Sequence, residues 1–182
     1  MNDRALLSIS AAELAPAAPL AAALLALNNA HARELSWLEP ARLAHLVGQG
    51  FFARRIGHVD AFLLAFDQAA DYDSPNFLWF RERYERFVYI DRIVVASSAR
   101  KRGLARLLYR ELFAQAARAR HHCVACEVNS EPPNPASDAF HLALGFSEVG
   151  SARIYDGSKT VRYLLRRQQP QAAVAGGSAS TE

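Results

Sequence analysis

Apolar residues recur at helical spacing in several stretches of the chain. The first stretch, 20–27, places three leucines on one helical face and ends at Asn28-Asn29, which predicts a short helix. A second helix is predicted over 40–46. The longest is predicted over 103–119, and its apolar stripe comprises Leu104, Leu107, Leu108, Leu112 and Ala116.

Runs of β-branched, aliphatic and aromatic residues predict the strands. The strongest is 87–96, followed along the chain by 122–129. Two earlier strands are predicted at 50–57 and 58–66, and the last part of the chain predicts a hairpin that turns near Asp156-Gly157, with strands at 146–155 and 159–167. Helices that alternate with these strands indicate an α/β domain on a mixed sheet.

Two connections between strands differ in character. Asn134 is a good helix cap and Pro135 suits the first helical position, so a helix is predicted from there to the stop at Gly145. Residues 71–87 are irregular, acidic and aromatic, which indicates a functional lid or an insertion that carries a helix. Trp79, Phe80 and Tyr84 within it favour packing, although a substrate wall is the alternative.

Composition narrows the class of protein. The 182 residues suit one domain, and 51% hydrophobic with 21% charged residues is ordinary for a soluble chain. A net charge of +3 permits an anionic ligand, while scattered cations outside 100–106 argue against a nucleic-acid partner. Cys123 and Cys126 would face opposite sides of a strand and lack a second ligand pair, so we expect no metal site and a reducing compartment.

The two ends of the chain differ from its centre in composition. Residues 14–27 are apolar, but Asp3 and Glu13 beside a single Arg4 argue against a signal peptide, and the run is too short to cross a bilayer. We therefore expect a cytoplasmic protein without membrane contact. Residues 1–18 are predicted as an N-terminal extension, 19–167 as the folded domain and 168–182 as a disordered tail.

The stretch "SSARKRGLARLLYREL", 97–112, carries the clearest chemistry. It follows the strongest strand and opens the longest helix, so its backbone amides and the helix dipole favour an anion. Gly103 and the small Ala105 allow a phosphate to approach the backbone. The flanking cations can add charge-assisted hydrogen bonds: Arg100, Lys101, Arg102 and Arg106.

Two motifs in register make the chain resemble the GNAT-superfamily acetyltransferases. A strand followed by R-x-x-G-x-A and a helix is their signature for the pyrophosphate of acetyl-CoA, met here by Arg100, Gly103 and Ala105. The family's second motif is N-x-x-A-x-x-x-Y-x-x-x-G-F, and this chain has Asn134, Ser137, His141, Gly145 and Phe146 at the same spacing, with Ser137 and His141 in place of its alanine and tyrosine. The resemblance covers about 20–166. Residues 87–95 and 132–146 also resemble one mostly uncharacterised branch of predicted acetyltransferases, which implies no particular substrate.

That resemblance implies a fold and a donor. The fold is a mixed, mostly antiparallel sheet of six to seven strands, flanked by about four helices and splayed between two parallel strands. The donor substrate is acetyl-CoA, with no metal; its pantetheine arm would pair with the strand backbone at Ile93 and Val95. The implied donor site also includes all of 100–106, among them Leu104, and Asn134, Ser137 and His141. For Asn134 a role as helix cap is favoured over ligand contact, although the two roles are compatible.

The resemblance also implies a direct N-acetyl transfer to a primary amine of a small molecule or protein. His141 replaces the family's usual tyrosine acid, and an imidazolium could protonate the departing sulfur, although a structural histidine fits equally. Asp91 and Glu127 are the candidate bases.

A non-catalytic acyl-CoA-binding regulator or an interaction module remains the alternative function. We expect the protein to be a monomer or a homodimer.

Overall fold

The computed structural model describes residues 4–15, 17–131, 133–154, 157 and 159–168. Within them lie seven strands: β1 (Leu6–Ser8), β2 (Phe52–Ile56), β3 (Ala61–Asp67), β4 (Phe87–Val95), β5 (Cys123–Glu131), β6 (Ser147–Ile154) and β7 (Lys159–Arg167). The same residues contain six α-helices: α1 (Pro19–Asn29), α2 (Ala32–Leu35), α3 (Pro40–Gly48), α4 (Pro75–Arg81), α5 (Leu104–Arg118) and α6 (Pro135–Ala143).

The strands form one sheet in the order β1-β2-β3-β4-β5-β7-β6. All neighbours are antiparallel except β4 and β5, which are parallel and pair only at Phe87–Cys123, Val88–Val124 and Tyr89–Ala125. Beyond Tyr89 the two strands separate and leave an opening between them. The predicted mixed, mostly antiparallel sheet that splays between two parallel strands is therefore confirmed.

A bulge interrupts β4 at the start of this opening. Leu64 and Ala65 of β3 pair with Arg92 and Ile90, so Asp91 has no opposite residue on β3. An extra residue bends a strand and redirects its side chains. Here the side chains of Asp91 and Arg92 are both buried and form an ion pair with each other.

Two apolar layers cover the faces of the sheet. One layer is packed by α1, α3 and α4, and the other chiefly by α5. Cys123 lies in the first layer and Cys126 in the second, which confirms that the two thiols face opposite sides of β5. Both cysteines are free and buried.

The sequence missed the shortest elements. The three-residue β1 and the single-turn α2 carry too few residues for a periodicity, and α4 has only seven. The segment 71–87 contains α4, which confirms the interpretation as a helix-bearing insertion, although the bounds of that helix were not predicted. The described residues contain six α-helices where about four were expected.

Residues of the predicted N-terminal extension and of the predicted C-terminal tail both make hydrogen bonds with the folded domain. The strand β1 falls within the predicted extension 1–18 and pairs with β2, so the sheet begins before residue 19. Gln168 donates its backbone N–H to His122 O at 2.9 Å, whereas the rest of the predicted tail, 169–182, and Asp156 of the predicted turn lie outside the described residues. The division itself stays a prediction.

Candidate functional site

The opening between β4 and β5 is a cleft of about 780 Å³. Its walls come from both strands, from α6 and from the segments around α2 and α4. The lining includes the following residues that the sequence singled out: Asp91, Ile93, Val95, Arg100, Glu127, Asn134, Ser137 and His141. The cleft thus brings both candidate bases, the candidate acid and part of the predicted donor site together.

The loop at the start of α5 has a backbone suited to an anion. Gly103 caps the helix with φ 78°, a left-handed conformation that favours glycine, and a Cβ added there would meet nothing within 4 Å. No described side chain caps this end, so the first amides of α5 lack that partner. Lys101 is also left-handed, with φ 61°. Backbone N–H groups without a side-chain cap, together with the open space beside Gly103, suit a phosphate group.

The cationic side chains of this loop lie at different places on the surface. Arg100 is exposed and lines the cleft. Arg102 instead forms an ion pair with Asp60 at 3.2 Å, and Arg106 faces a separate hollow that also contains Arg110 and Arg166. The side chain of Leu104 is buried in the core, so only its backbone could meet a ligand. Of the four cations in this loop, Arg100 alone lines the cleft.

Glu127 occupies the other wall of the cleft, half-buried on β5. The Tyr89 hydroxyl donates to Oε2 at 2.6 Å and the Asn76 amide donates to Oε1 at 3.0 Å. Burial raises the pKa of Glu127 to about 7, and the hydrogen bond from Tyr89 opposes that shift. A carboxyl group with this pKa can exchange a proton near neutral pH.

A chain of contacts through Tyr163 and Trp79 holds Asn76, one of the hydrogen-bond partners of Glu127. Asn76 is buried in α4, and its side-chain oxygen accepts a hydrogen bond from Tyr163 at 3.1 Å. The Tyr163 ring stacks on Trp79 with 4.2 Å between centroids. Gly150 of β6 faces Trp79 so closely that an added Cβ would lie 2.8 Å from the indole. These contacts hold the Asn76 amide against the Glu127 carboxylate.

Asp91, the other candidate base, is already engaged. Its side chain is buried, pairs with Arg92 and accepts a hydrogen bond from the Tyr72 hydroxyl at 2.5 Å. Arg92 in turn donates to the buried Asn28 of α1 at 2.8 Å. Asp91 is therefore held by a charged partner, whereas the Asn76 and Tyr89 donors to Glu127 are neutral. The role of either carboxylate as a base stays a prediction.

His141 is buried on α6 with both ring nitrogens occupied. Nδ1 lies 2.8 Å from the Ser137 carbonyl oxygen, and Nε2 lies 2.8 Å from the Tyr109 hydroxyl. Because a carbonyl only accepts, Nδ1 carries the proton and Nε2 accepts from Tyr109. Burial also lowers the pKa of His141. The imidazolium expected from the sequence is therefore disfavoured, and a catalytic role for His141 stays a prediction.

The sequence matches the model of the acetyltransferase (GNAT) family over residues 28–146. The chain belongs to this family. No curated protein sequence matches the chain.

Solved structures of GNAT acetyltransferases share the fold. A ribosomal-protein-alanine N-acetyltransferase from Brucella melitensis is 21% identical, with a TM-score of 0.63 over 90% of this chain and 99% of its own. A GNAT-family acetyltransferase from Streptococcus pneumoniae is 14% identical, with a TM-score of 0.66 over 91% and 99%. A phosphinothricin acetyltransferase from Sinorhizobium meliloti, solved with acetyl-CoA, is 17% identical, with a TM-score of 0.63 over 91% and 89%. At these identities the likeness concerns the fold alone.

Several residues of this GNAT cleft could not be recognised as functional from the sequence. Asn76, Tyr89 and Tyr109 contact the candidate acid or base but belong to no motif. Asn76 lies in α4, a helix whose bounds the sequence did not predict. Tyr89 and Tyr109 fit the apolar patterns of β4 and α5 and look like ordinary core residues. The predicted helix cap is confirmed, since Asn134 accepts a hydrogen bond from the Ser137 amide at 3.2 Å.

The segment 71–87 divides between packing and the cleft. Phe80 is fully buried, Trp79 stacks on Tyr163, and Tyr84 packs against the core, which confirms the packing interpretation for these three residues. The residues before them, 72–76, do line the cleft. Asp73 forms an ion pair with Arg42 at 2.9 Å.

The part of the chain that the structure describes contains no group of three or more His, Cys, Asp or Glu side chains arranged to hold a metal ion. None of its helices combines the length and apolar character needed to cross a membrane.

Proposed function

We propose that this protein transfers an acetyl group from acetyl-CoA directly to a primary amine of a small molecule or a protein. The observation that carries the proposal is the carboxyl group of Glu127, held in the cleft between β4 and β5 with a pKa of about 7. It lies in the same cleft as Arg100, the residue that begins the anion-binding loop. A base and a phosphate-binding loop in one cleft are what such a transfer requires.

The donor fits the unpaired part of the two strands. Past Tyr89 and Ala125, the backbone groups of β4 and β5 that face the opening have no partner across it. The amides of a pantetheine arm could pair with β4 at Ile93 and Val95. The pyrophosphate would then meet the Gly103 loop and Arg100, whereas Arg102 and Arg106 point elsewhere.

The reaction follows from the position of Glu127. The carboxylate accepts a proton from the acceptor's ammonium group, directly or through water, and the neutral amine attacks the thioester carbonyl. The bond between the carbonyl carbon and sulfur then breaks. The second proton, which the nitrogen loses as it becomes an amide, passes to the departing thiolate, and Glu127 releases the first proton to solvent. Most of the acceleration comes from holding the two substrates together in the cleft.

The acceptor is proposed only as a class. The Brucella melitensis neighbour is named for a ribosomal-protein alanine and the Sinorhizobium meliloti neighbour for phosphinothricin, so proteins of this fold act on both protein and small-molecule amines. A cytoplasmic location and a monomeric or homodimeric state also remain predictions.

Calorimetric titration with acetyl-CoA tests the donor site. We expect binding by the wild type, and a loss of about 100-fold or more in affinity for Gly103→Glu, which places a carboxylate where the phosphate binds. Gly48→Glu is the matched control, since Gly48 is exposed and a Cβ there meets nothing within 4 Å.

The outcomes separate donor binding from catalysis. Equal affinity in both variants and the wild type, or no binding at all, would contradict the proposal. Release of free thiol across a panel of amines then tests the transfer. Binding without transfer to any amine would favour the non-catalytic alternative.

A further inference from the structure

Trp37 stands on the rim of the cleft with its side chain largely in solvent. It lies between α2 and α3, exposes 63% of its surface and lines the same cleft as Glu127. A single exposed apolar side chain is ordinary on a protein surface. What distinguishes Trp37 is the degree to which the surrounding structure fixes it in that place.

The segment that carries Trp37 is tied to the sheet through two asparagines. Asn29 binds both backbone groups of Leu38, donating to the carbonyl oxygen and accepting from the amide at 2.9 Å each. The fully buried Asn28 donates to Ser36 O at 3.0 Å and accepts from Arg92 at 2.8 Å. Arg92 belongs to β4, beside the bulge. The rim is therefore anchored to the strand that forms the cleft.

The orientation of the indole is also constrained. Ser36, directly before Trp37, has φ 77°, a left-handed conformation that is strained for serine. The indole N–H donates to a Glu39 carboxylate oxygen at 2.7 Å. The strained backbone before Trp37 and the hydrogen bond at the polar edge of its ring both restrain the indole. Its flat apolar faces are left for contact.

Apolar surface on this rim comes from Trp37 and from the half-buried Leu35, which lines the cleft alongside it. Two charged side chains nearby, Arg42 and Asp73, form an ion pair with each other at 2.9 Å. The Glu39 carboxylate is held at the polar edge of the indole and leaves the faces of the ring uncovered. The described side chains of the rim therefore offer an apolar surface to a ligand.

We propose that Trp37 is a specificity-determining residue that selects acceptors with an aromatic or bulky apolar group next to the reacting amine. The inference rests on the proposed function, since it takes the acceptor to enter the cleft by this rim. Contact with the indole removes apolar surface of both partners from water, and aromatic rings gain further from stacking.

The test compares two acceptors, phenylalanine amide and glycine amide, at saturating acetyl-CoA. For the wild type we expect a higher kcat/KM with phenylalanine amide. Trp37→Ala should lower that value about tenfold or more and change the value for glycine amide less than about twofold. Trp37→Phe keeps a flat ring and should restore most of the preference. Leu142→Ala is the matched control, since Leu142 is 74% exposed and outside the cleft lining.

A binding measurement accompanies the kinetics. Phenylalanine amide should change the indole fluorescence of the wild type and of Leu142→Ala but not that of Trp37→Phe, because Trp79 is common to all three proteins. Equal kcat/KM for the two amides in the wild type, or an equal loss for both in Trp37→Ala, would overturn the proposal. Failure of the proposed function appears separately, as absent acetyl-CoA binding in calorimetry.

Discussion

The Tyr89 hydroxyl of β4 lies 2.6 Å from Oε2 of Glu127 on β5, at the point where the two parallel strands separate. Tyr89 is the last residue of β4 that pairs with β5, so this hydrogen bond spans the base of the cleft. Glu127 is thereby fixed where the backbone groups of both strands become available to a ligand. The position of the proposed base is a direct consequence of the splay.

Asn76→Ala should shift the proton affinity of Glu127. The variant removes a donor that favours the carboxylate, so the pKa of Glu127 rises further, and the limb of the pH–rate profile moves to higher pH. Loss of the amide also leaves the Tyr163 hydroxyl without its acceptor and Oε1 of Glu127 without its donor, which costs about 1–3 kcal/mol of unfolding free energy. Urea unfolding and thiol release between pH 6 and 9 measure both effects. An unchanged limb would show that Asn76 does not set the titration of the base.

Gly150→Ala should destabilise the protein through Trp79. The new Cβ would lie 2.8 Å from the indole, which is stacked on Tyr163 and cannot move without disturbing it. We expect a loss of about 1–3 kcal/mol in urea unfolding. Gly48→Ala, where a Cβ meets nothing within 4 Å, is the control. Equal stability of the two variants would mean that Trp79 is not held as tightly as the contact indicates.

Arg100→Gln should weaken acetyl-CoA binding by about tenfold or more, since a charge-assisted hydrogen bond contributes about 1.5–3 kcal/mol. Arg100 lines the cleft beside the Gly103 loop. Arg118→Gln removes the same charge from the exposed last turn of α5 and should leave the affinity unchanged. Calorimetry at two salt concentrations measures both variants. Equal losses would indicate a general effect of net charge rather than a contact.

His141 should be neutral at pH 7. Burial lowers the pKa of its imidazole, and the Ser137 carbonyl accepts the hydrogen bond from the single proton on Nδ1. Nitrogen NMR of the labelled ring should therefore show one protonated nitrogen at pH 7 and above. In Tyr109→Phe the Nε2 resonance should move, because that nitrogen loses its donor. A doubly protonated ring near pH 6.5 would restore the imidazolium to the mechanism.

Long elements and backbone motifs could be predicted from the sequence for physical reasons. The stripe of α5 and the β-branched run of β4 each repeat a pattern over nine residues or more. The Gly103 loop is a local feature, since its conformation depends on a few adjacent residues. The match of two motifs at fixed spacing then pointed to the family and hence to the splayed sheet.

The contacts that decide the chemistry are not local. Asn76 and Glu127 are far apart in the chain, and α4 is too short to show a helical pattern. Tyr109 looks like any core residue of α5 until α6 brings His141 against it. The ion pair between Arg102 and Asp60 depends on tertiary packing and could not be predicted from the residues around Gly103. A donor-binding role for Lys101, Arg102 and Arg106 stays a prediction.

The pH–rate profile of thiol release, compared between the wild type and Glu127→Gln, tests the central claim most directly. With a pKa of about 7, Glu127 becomes ionised as the pH rises, so the wild-type rate should increase through neutral pH. Glu127→Gln should bind acetyl-CoA like the wild type but lose about 100-fold or more of the rate at pH 8. A variant that keeps the wild-type rate and profile would contradict the assignment of Glu127 as the base.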